Sequence, residues 1–173
     1  PIGGRSALGV QTIDEEFGAG QFTVRKTSEN AVSYPAQKGW YMDFIQPPQP
    51  GTPIGERITS QAALRNRRII FTTLIPNKGA CNTGVSSWLM ELNPLTGSRL
   101  LQTPFDINGD NLIDKADLIA DGGKSIAASG FHFDMGTVSP IFITGANQYG
   151  GDLKIIPEIP DAGGHRQSWV QLR

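Results

Sequence analysis

Residues 67–75, Arg67-Arg68-Ile69-Ile70-Phe71-Thr72-Thr73-Leu74-Ile75, place three large apolar side chains in succession, Ile69, Ile70 and Phe71. Successive strand residues point to opposite faces, so this run predicts a strand with apolar cover on both sides. Flanking segments read as half-buried strands. In Gly39-Trp40-Tyr41-Met42-Asp43-Phe44, residues Trp40, Met42 and Phe44 share one face, and Tyr41 and Asp43 the other. Phe131 and Phe133 likewise oppose His132 and Asp134. The chain has 21 glycines and 12 prolines in 173 residues, about a fifth of the total, which suits short strands joined by turns better than long helices. The class expected is all-β, with strands over 21–26, 39–45, 67–75, 86–92, 130–134, 139–144, 153–157 and 167–172.

Turns fall between these segments. Residues 46–53 hold four prolines and read as an exposed connector, because proline cannot donate to a central sheet. Asn93-Pro94-Leu95-Thr96-Gly97 is a tight turn entered at Pro94 and left at Gly97. From Trp40 to Trp88 is 48 residues and from Trp88 to Phe133 is 45, close to the ~40–50 residues of a propeller blade, though no sequence repeat accompanies the spacing. The one helix expected is a turn or two over 115–120.

The segment whose chemistry is most specific is Asp106-Ile107-Asn108-Gly109-Asp110-Asn111-Leu112-Ile113-Asp114-Lys115-Ala116-Asp117. Calcium takes oxygen ligands, and a twelve-residue loop of the EF-hand type supplies them from positions 1, 3, 5, 7 through the carbonyl, 9 and 12. Those positions are Asp106, Asn108, Asp110, Leu112, Asp114 and Asp117. Ile113 at the eighth position is expected to turn outward and pack on the core. Asn111 stands where glycine is usual and tolerates a left-handed backbone. Asp117 stands where a longer glutamate is usual, which lowers the expected affinity. Four carboxylates in one loop repel each other, so the loop is expected to be disordered or partly protonated without a cation.

Other chemistry finds little support. Lys plus Arg number 15 and Asp plus Glu 16, a net charge of −1, which gives no reason to expect nucleic acid or an anionic membrane as partner. No run of 18 apolar residues is present. The start, Pro1-Ile2-Gly3-Gly4-Arg5, carries no signal segment, so any export signal is expected to lie upstream or to have been removed. Cys81 is single and reads as a passive surface thiol. His132 and His165 lie 33 residues apart without further ligands at zinc spacing. His132 beside Asp134 reads as a surface hydrogen bond before an acid–base pair. No Gly-x-Ser-x-Gly elbow occurs, and the glycines at 3, 4 and 9 lack the context of a phosphate loop. Arg65, Arg67 and Arg68 read as a charged, solvated strand edge.

Taken in order, Lys38-Gly39-Trp40-Tyr41-Met42-Asp43-Phe44, Gly55-Glu56-Arg57, Ile70-Phe71-Thr72-Thr73-Leu74-Ile75-Pro76, Cys81 and Ser87-Trp88-Leu89-Met90-Glu91-Leu92-Asn93 resemble the C-terminal region of the PilC/PilY family of type IV pilus biogenesis and tip-associated adhesin proteins. The end, Gly164-His165-Arg166-Gln167-Ser168-Trp169 through Arg173, resembles that family's C-terminus, while the first 35 residues contribute little. An ordered set of motifs is more specific than any one of them.

The resemblance implies a modified β-propeller of about seven blades, exported and carried at the pilus tip, cell surface or outer membrane. It implies an EF-hand-like loop without a full helix pair, with Ca2+ held by Asp106, Asn108, Asp110, Leu112 through its carbonyl, and Asp114. Asp117 lies just beyond the family pattern. Calcium occupancy is implied to regulate pilus extension and retraction, twitching motility and surface attachment, with minor pilins and host-cell or surface receptors as partners. At ~45 residues a blade, residues 1–173 hold three to four blade equivalents, so a C-terminal portion of a longer domain is expected. No enzymatic activity is expected. The competing readings are a purely structural calcium site and a fragment of a quinone-dependent propeller enzyme.

Overall fold

The computed structural model describes residues 3–19, 22–76, 85–110, 112–135, 142–144, 147–150 and 154–157. Its strands are β1 (Gly9–Gln11), β2 (Ile13–Ala19), β3 (Phe22–Thr27), β4 (Trp40–Met42), β5 (Arg57–Ile58), β6 (Ala63–Arg65), β7 (Arg68–Leu74), β8 (Val85–Leu92), β9 (Ile119–Asp121), β10 (Lys124–Ile126), β11 (Gly130–Met135), β12 (Phe142–Thr144), β13 (Asn147–Gly150) and β14 (Lys154–Pro157). Among the described residues there is no α-helix, only single 3-10 turns at Arg5–Ala7 and Lys115–Asp117. The all-β expectation holds. Residues 167–172 and Cys81 lie outside the described residues.

Seven strands form one antiparallel sheet in the order β2-β3-β11-β8-β7-β5, with β6 also pairing β7. Smaller sheets are β1-β4, β9-β10 and β12-β13-β14, and β1-β4 is a parallel pair. No four-stranded blade is delimited among the described residues.

The central sheet separates two apolar clusters, and β7 shows why. Ile70 belongs to the cluster of Val24, Leu89, Phe105, Ile107, Ile119, Ile126, Ala128 and Phe131. Phe71, one residue on, belongs to the opposite cluster of Trp88, Met90 and Leu92, onto which Ile69, Trp40, Met42 and Phe44 also pack. Period-2 alternation continues along β8, with Leu89 on the first face and Trp88, Met90 and Leu92 on the second. Fully burying such side chains contributes roughly 1.5–3 kcal/mol each. Tyr41 and Asp43 turn the other way, where Arg5 sits 4.8 Å from the Tyr41 ring and grips Asp43 at 2.6 and 2.8 Å.

Two glycines set close approaches. Gly97 has φ +71 and lies under Trp40, whose ring atoms come within 2.2 Å of where a Cβ would be. The Trp40 indole N–H then donates to the Pro94 carbonyl at 2.9 Å, so the 93–97 turn seats the tryptophan. Gly130 pairs with Arg25 on one side and Met90 on the other, and a Cβ there would meet the Met90 sulfur at 2.5 Å.

Three expectations need correction. The helix over 115–120 is only the turn Lys115–Asp117, because Gly122 and Gly123, at φ +55 and +83, close a hairpin that draws Ile119–Asp121 into β9. Arg68 is no solvated edge charge: it is buried and bonds Glu91 at 2.8 Å. Asn66 and Arg67, at φ 48 and 59, instead form the tight turn joining β6 to β7. Residues 9–19, over which no strand is expected, supply β1 and β2, while β3 falls where the strand over 21–26 is expected. Asp14 and Glu15 are exposed on β2, and this charge hides the strand from an alternation reading.

Candidate metal centre

The acidic loop 106–117 is bracketed by core residues. Phe105 is fully buried and packs near Phe131, Ile107 is 5% exposed, and Ile119 closes the far side in the same cluster. Ile107 therefore carries the anchoring expected of Ile113, which is only half-buried. Asn111 lies outside the described residues.

Each donor side chain engages the loop's own backbone. Asp106 Oδ1 accepts from the Gly109 amide at 2.7 Å, Asn108 Oδ1 from Asp110 at 2.9 Å, Asp110 Oδ1 from Leu112 at 2.8 Å and Asp114 Oδ1 from Ala116 at 2.7 Å. Asn108 Nδ2 also donates to Asp110 Oδ2 at 3.0 Å. These short-range bonds curl the chain into a loop. Asn108, Asp110 and Asp114 are exposed, and the Leu112 side chain is 62% exposed. Among the described residues no three His, Cys, Asp or Glu side chains converge as a ready metal cluster. The donors fit a hard cation in kind, being oxygens at loop positions 1, 3, 5, 7 and 9. An oxygen that accepts one loop amide keeps a further lone pair, and each carboxylate a second oxygen, so these bonds do not bar coordination.

Asp117 is fully buried, and of the other donors only Asp106, at 8% exposure, is also buried. Its Oδ1 accepts from the Ile107 amide at 2.7 Å and the Asn108 amide at 3.2 Å, and its Oδ2 from the Asp114 amide at 2.9 Å. With Asp114 it forms a reciprocal cap on the 3-10 turn.

The loop reaches the sheet through a second route. Asp121, at the end of β9, accepts from Lys26 on β3 at 2.9 Å, and Lys26 also pairs with Glu15 at 3.1 Å. The hydrogen bond from Lys26 holds the Asp121 carboxyl below its usual range, and the same bond raises the Lys26 ammonium.

On the opposite face, sequence reading missed a buried charge cluster. Arg25 is fully buried and bonds both oxygens of Glu56, at 2.7 and 2.9 Å, together with Glu16 on β2. Glu56 is itself buried, so the bidentate pair satisfies two groups that water does not reach. The sequence shows only the strand over 21–26, and the partners of Arg25 emerge with the register that sets Glu16 and Gly130 across from it. His132 donates or accepts with Ser86 Oγ at 3.2 Å and packs edge-on against Trp88, with ring centroids 4.9 Å apart. The Asp134 side chain and His165 lie outside the described residues.

Comparison with known proteins places this arrangement. No protein-family profile matches the chain. A type IV pilus biogenesis factor PilY1 homolog of Xylella fastidiosa is 33% identical over 184 aligned positions, covering 99% of this chain and 14% of the relative. The type IV pilus biogenesis factor PilY1 of Pseudomonas aeruginosa strain PAO1 is 29% identical over 136 residues, covering 73% of this chain and 12% of the relative. The chain thus spans about an eighth of the length of the first relatives it matches. The crystal structure of the Pseudomonas aeruginosa PilY1 C-terminal domain superposes with a TM-score of 0.77 at 22% identity, over 90% of this chain and 32% of that one. The fold is therefore that of part of the C-terminal domain of a pilus biogenesis factor. The chain belongs to the PilC/PilY family and corresponds to its C-terminal region. Among the described residues no helix is long and apolar enough to cross a membrane.

Proposed function

We propose that the chain is a calcium-binding, non-enzymatic module of a type IV pilus biogenesis factor and tip-associated adhesin, exported to the cell surface. The ion is held by the side-chain oxygens of Asp106, Asn108, Asp110 and Asp114 and by the Leu112 carbonyl. The observation that carries this reading is an alternation of oxygen donors along a loop whose second residue, Ile107, and whose near neighbour Ile119 are both embedded in the main core. Kinship with PilY1 biogenesis factors supports the pilus role and type IV pilus components as partners, among which we place the minor pilins.

Binding is coupled to the body of the domain by these anchors. Bringing five oxygens onto one ion fixes the loop, and the fixed loop holds Ile107 and Ile119 against Val24 and Phe131. Calcium outside the cell is near millimolar, so a site with a dissociation constant of ~10⁻⁴ M is mostly filled there and nearly empty inside. Occupancy then sets whether the domain supports pilus extension or permits retraction, within a larger modified β-propeller to which this portion contributes.

The test is twitching motility of cells whose only copy carries Asp110→Ala, with surface protein quantified in parallel. Altered twitching at normal surface abundance is the expected result. Unchanged twitching contradicts the regulatory role, and loss of the protein from the surface favours a purely structural ion.

A further inference from the structure

We infer that Asp117 is a positioning residue that clasps the two ends of the 106–117 loop and is not the bidentate calcium ligand usual at the twelfth position. Resting on the calcium reading for what the loop does, the inference is argued from a residue that reading leaves at the margin. Asp117 is fully buried and Asp106 is buried at 8% exposure, whereas Asn108, Asp110 and Asp114 are exposed. A carboxylate offers about four lone-pair directions. Three are taken: both on Oδ1, by the Ile107 and Asn108 amides, and one on Oδ2, by the Asp114 amide. Bidentate coordination requires a direction on each oxygen, and Oδ1 has none left.

The donors it receives explain its role. Ile107 and Asn108 follow the first ligand, Asp106, and Asp114 is the last of the five, so one carboxylate ties the beginning of the ligand set to its end. The clasp is held in turn by Thr103, whose hydroxyl donates to the carbonyls of Phe105 and Asp117 at 3.1 and 3.5 Å. Aspartate at this place is a requirement of the clasp. A glutamate, one methylene longer, overshoots amides already met at 2.7 to 3.2 Å and has no solvent into which to turn. With five protein oxygens, a calcium shell of six to eight leaves about one to three waters.

The experiment measures amide exchange of the wild-type protein in chelator, calcium titration of Asp117→Asn and Asp117→Glu, and the number of waters on bound europium from luminescence lifetimes. The Ile107, Asn108 and Asp114 amides should exchange at least ~100-fold more slowly than an unstructured chain. Both variants should bind about tenfold more weakly, as loss of a supporting partner does, with the water number unchanged. The clasp is overturned if the three wild-type amides exchange freely, if Asp117→Asn gains two coordinated waters, or if Asp117→Glu binds more tightly. Should the variants fail to fold, wild-type exchange alone decides. A protein that takes up neither calcium nor europium yet protects these amides refutes the calcium reading and upholds the clasp.

Discussion

The Arg25 guanidinium lies 4.0 Å from the centroid of the Trp88 ring, inside a cage closed by Glu16 and Glu56. Arginine stacks on an aromatic face while its planar fork bonds carboxylates at the edge, which a lysine at this site could not do. The cluster fastens β2, β3, β8 and the segment before β5 to one another.

Arg25→Ala should lower the unfolding free energy by about 3–5 kcal/mol, because it leaves Glu56 buried without its partner. Urea denaturation measures the loss. A change under 1 kcal/mol would mean that the cage has little part in stability.

Gly130→Ala should destabilise by about 1–3 kcal/mol through overpacking against Met90 and Arg25. A Cβ at this position falls 2.5 Å from the Met90 sulfur and 3.2 Å from the Arg25 Cβ. Thermal melting of the variant checks it. Retention of the wild-type midpoint would show that Met90 moves aside freely.

The Lys26–Asp121 pair makes stability depend on pH at both ends. Asp121 is held below its ordinary value, so its contribution is full above about pH 4, the unfolded carboxyl value, and disappears as pH falls through the lower folded value. Lys26 is raised, so its contribution is full below about pH 10.4 and is lost as pH rises through the higher folded value. The melting deficit of Lys26→Met should therefore be flat from about pH 5 to 9 and shrink below about pH 4. A deficit that grows in acid would contradict the pairing.

Ile107→Ala should cost about 2–5 kcal/mol as a buried deletion and should also weaken calcium binding, since the same residue anchors the loop. Chemical denaturation with and without calcium separates the two effects. An unstable variant of unchanged affinity would uncouple loop from core.

Much of the fold was legible where side chains alternate cleanly. The consecutive Ile69, Ile70 and Phe71 do divide between two clusters, and Trp40, Met42 and Phe44 do share one of them. The 93–97 turn closes as read, with the Gly97 amide donating to the Asn93 carbonyl at 2.8 Å. What stayed hidden depends on partners distant in sequence. Arg25 lies 31 residues from Glu56, and Arg68 lies 23 from Glu91, so local pattern shows Arg68 as edge charge and does not single out Arg25. The acidic loop was found from spacing alone, but its anchor was read at Ile113 because the local pattern does not show which isoleucine the core accepts. Asp117 was placed with the ligands for its position, while burial and three amide donors give it a different surrounding.

The central claim is that the 106–117 loop holds calcium through side chains such as Asp110. Calorimetric calcium titration of the wild type beside Asp110→Ala tests it most directly. One ion bound by the wild type, with binding lost or weakened at least ~100-fold in the variant, is the predicted result, at the upper end of what a supporting partner alone would cost. Equal affinity of the two proteins, or no binding by the wild type at millimolar calcium, would contradict the account.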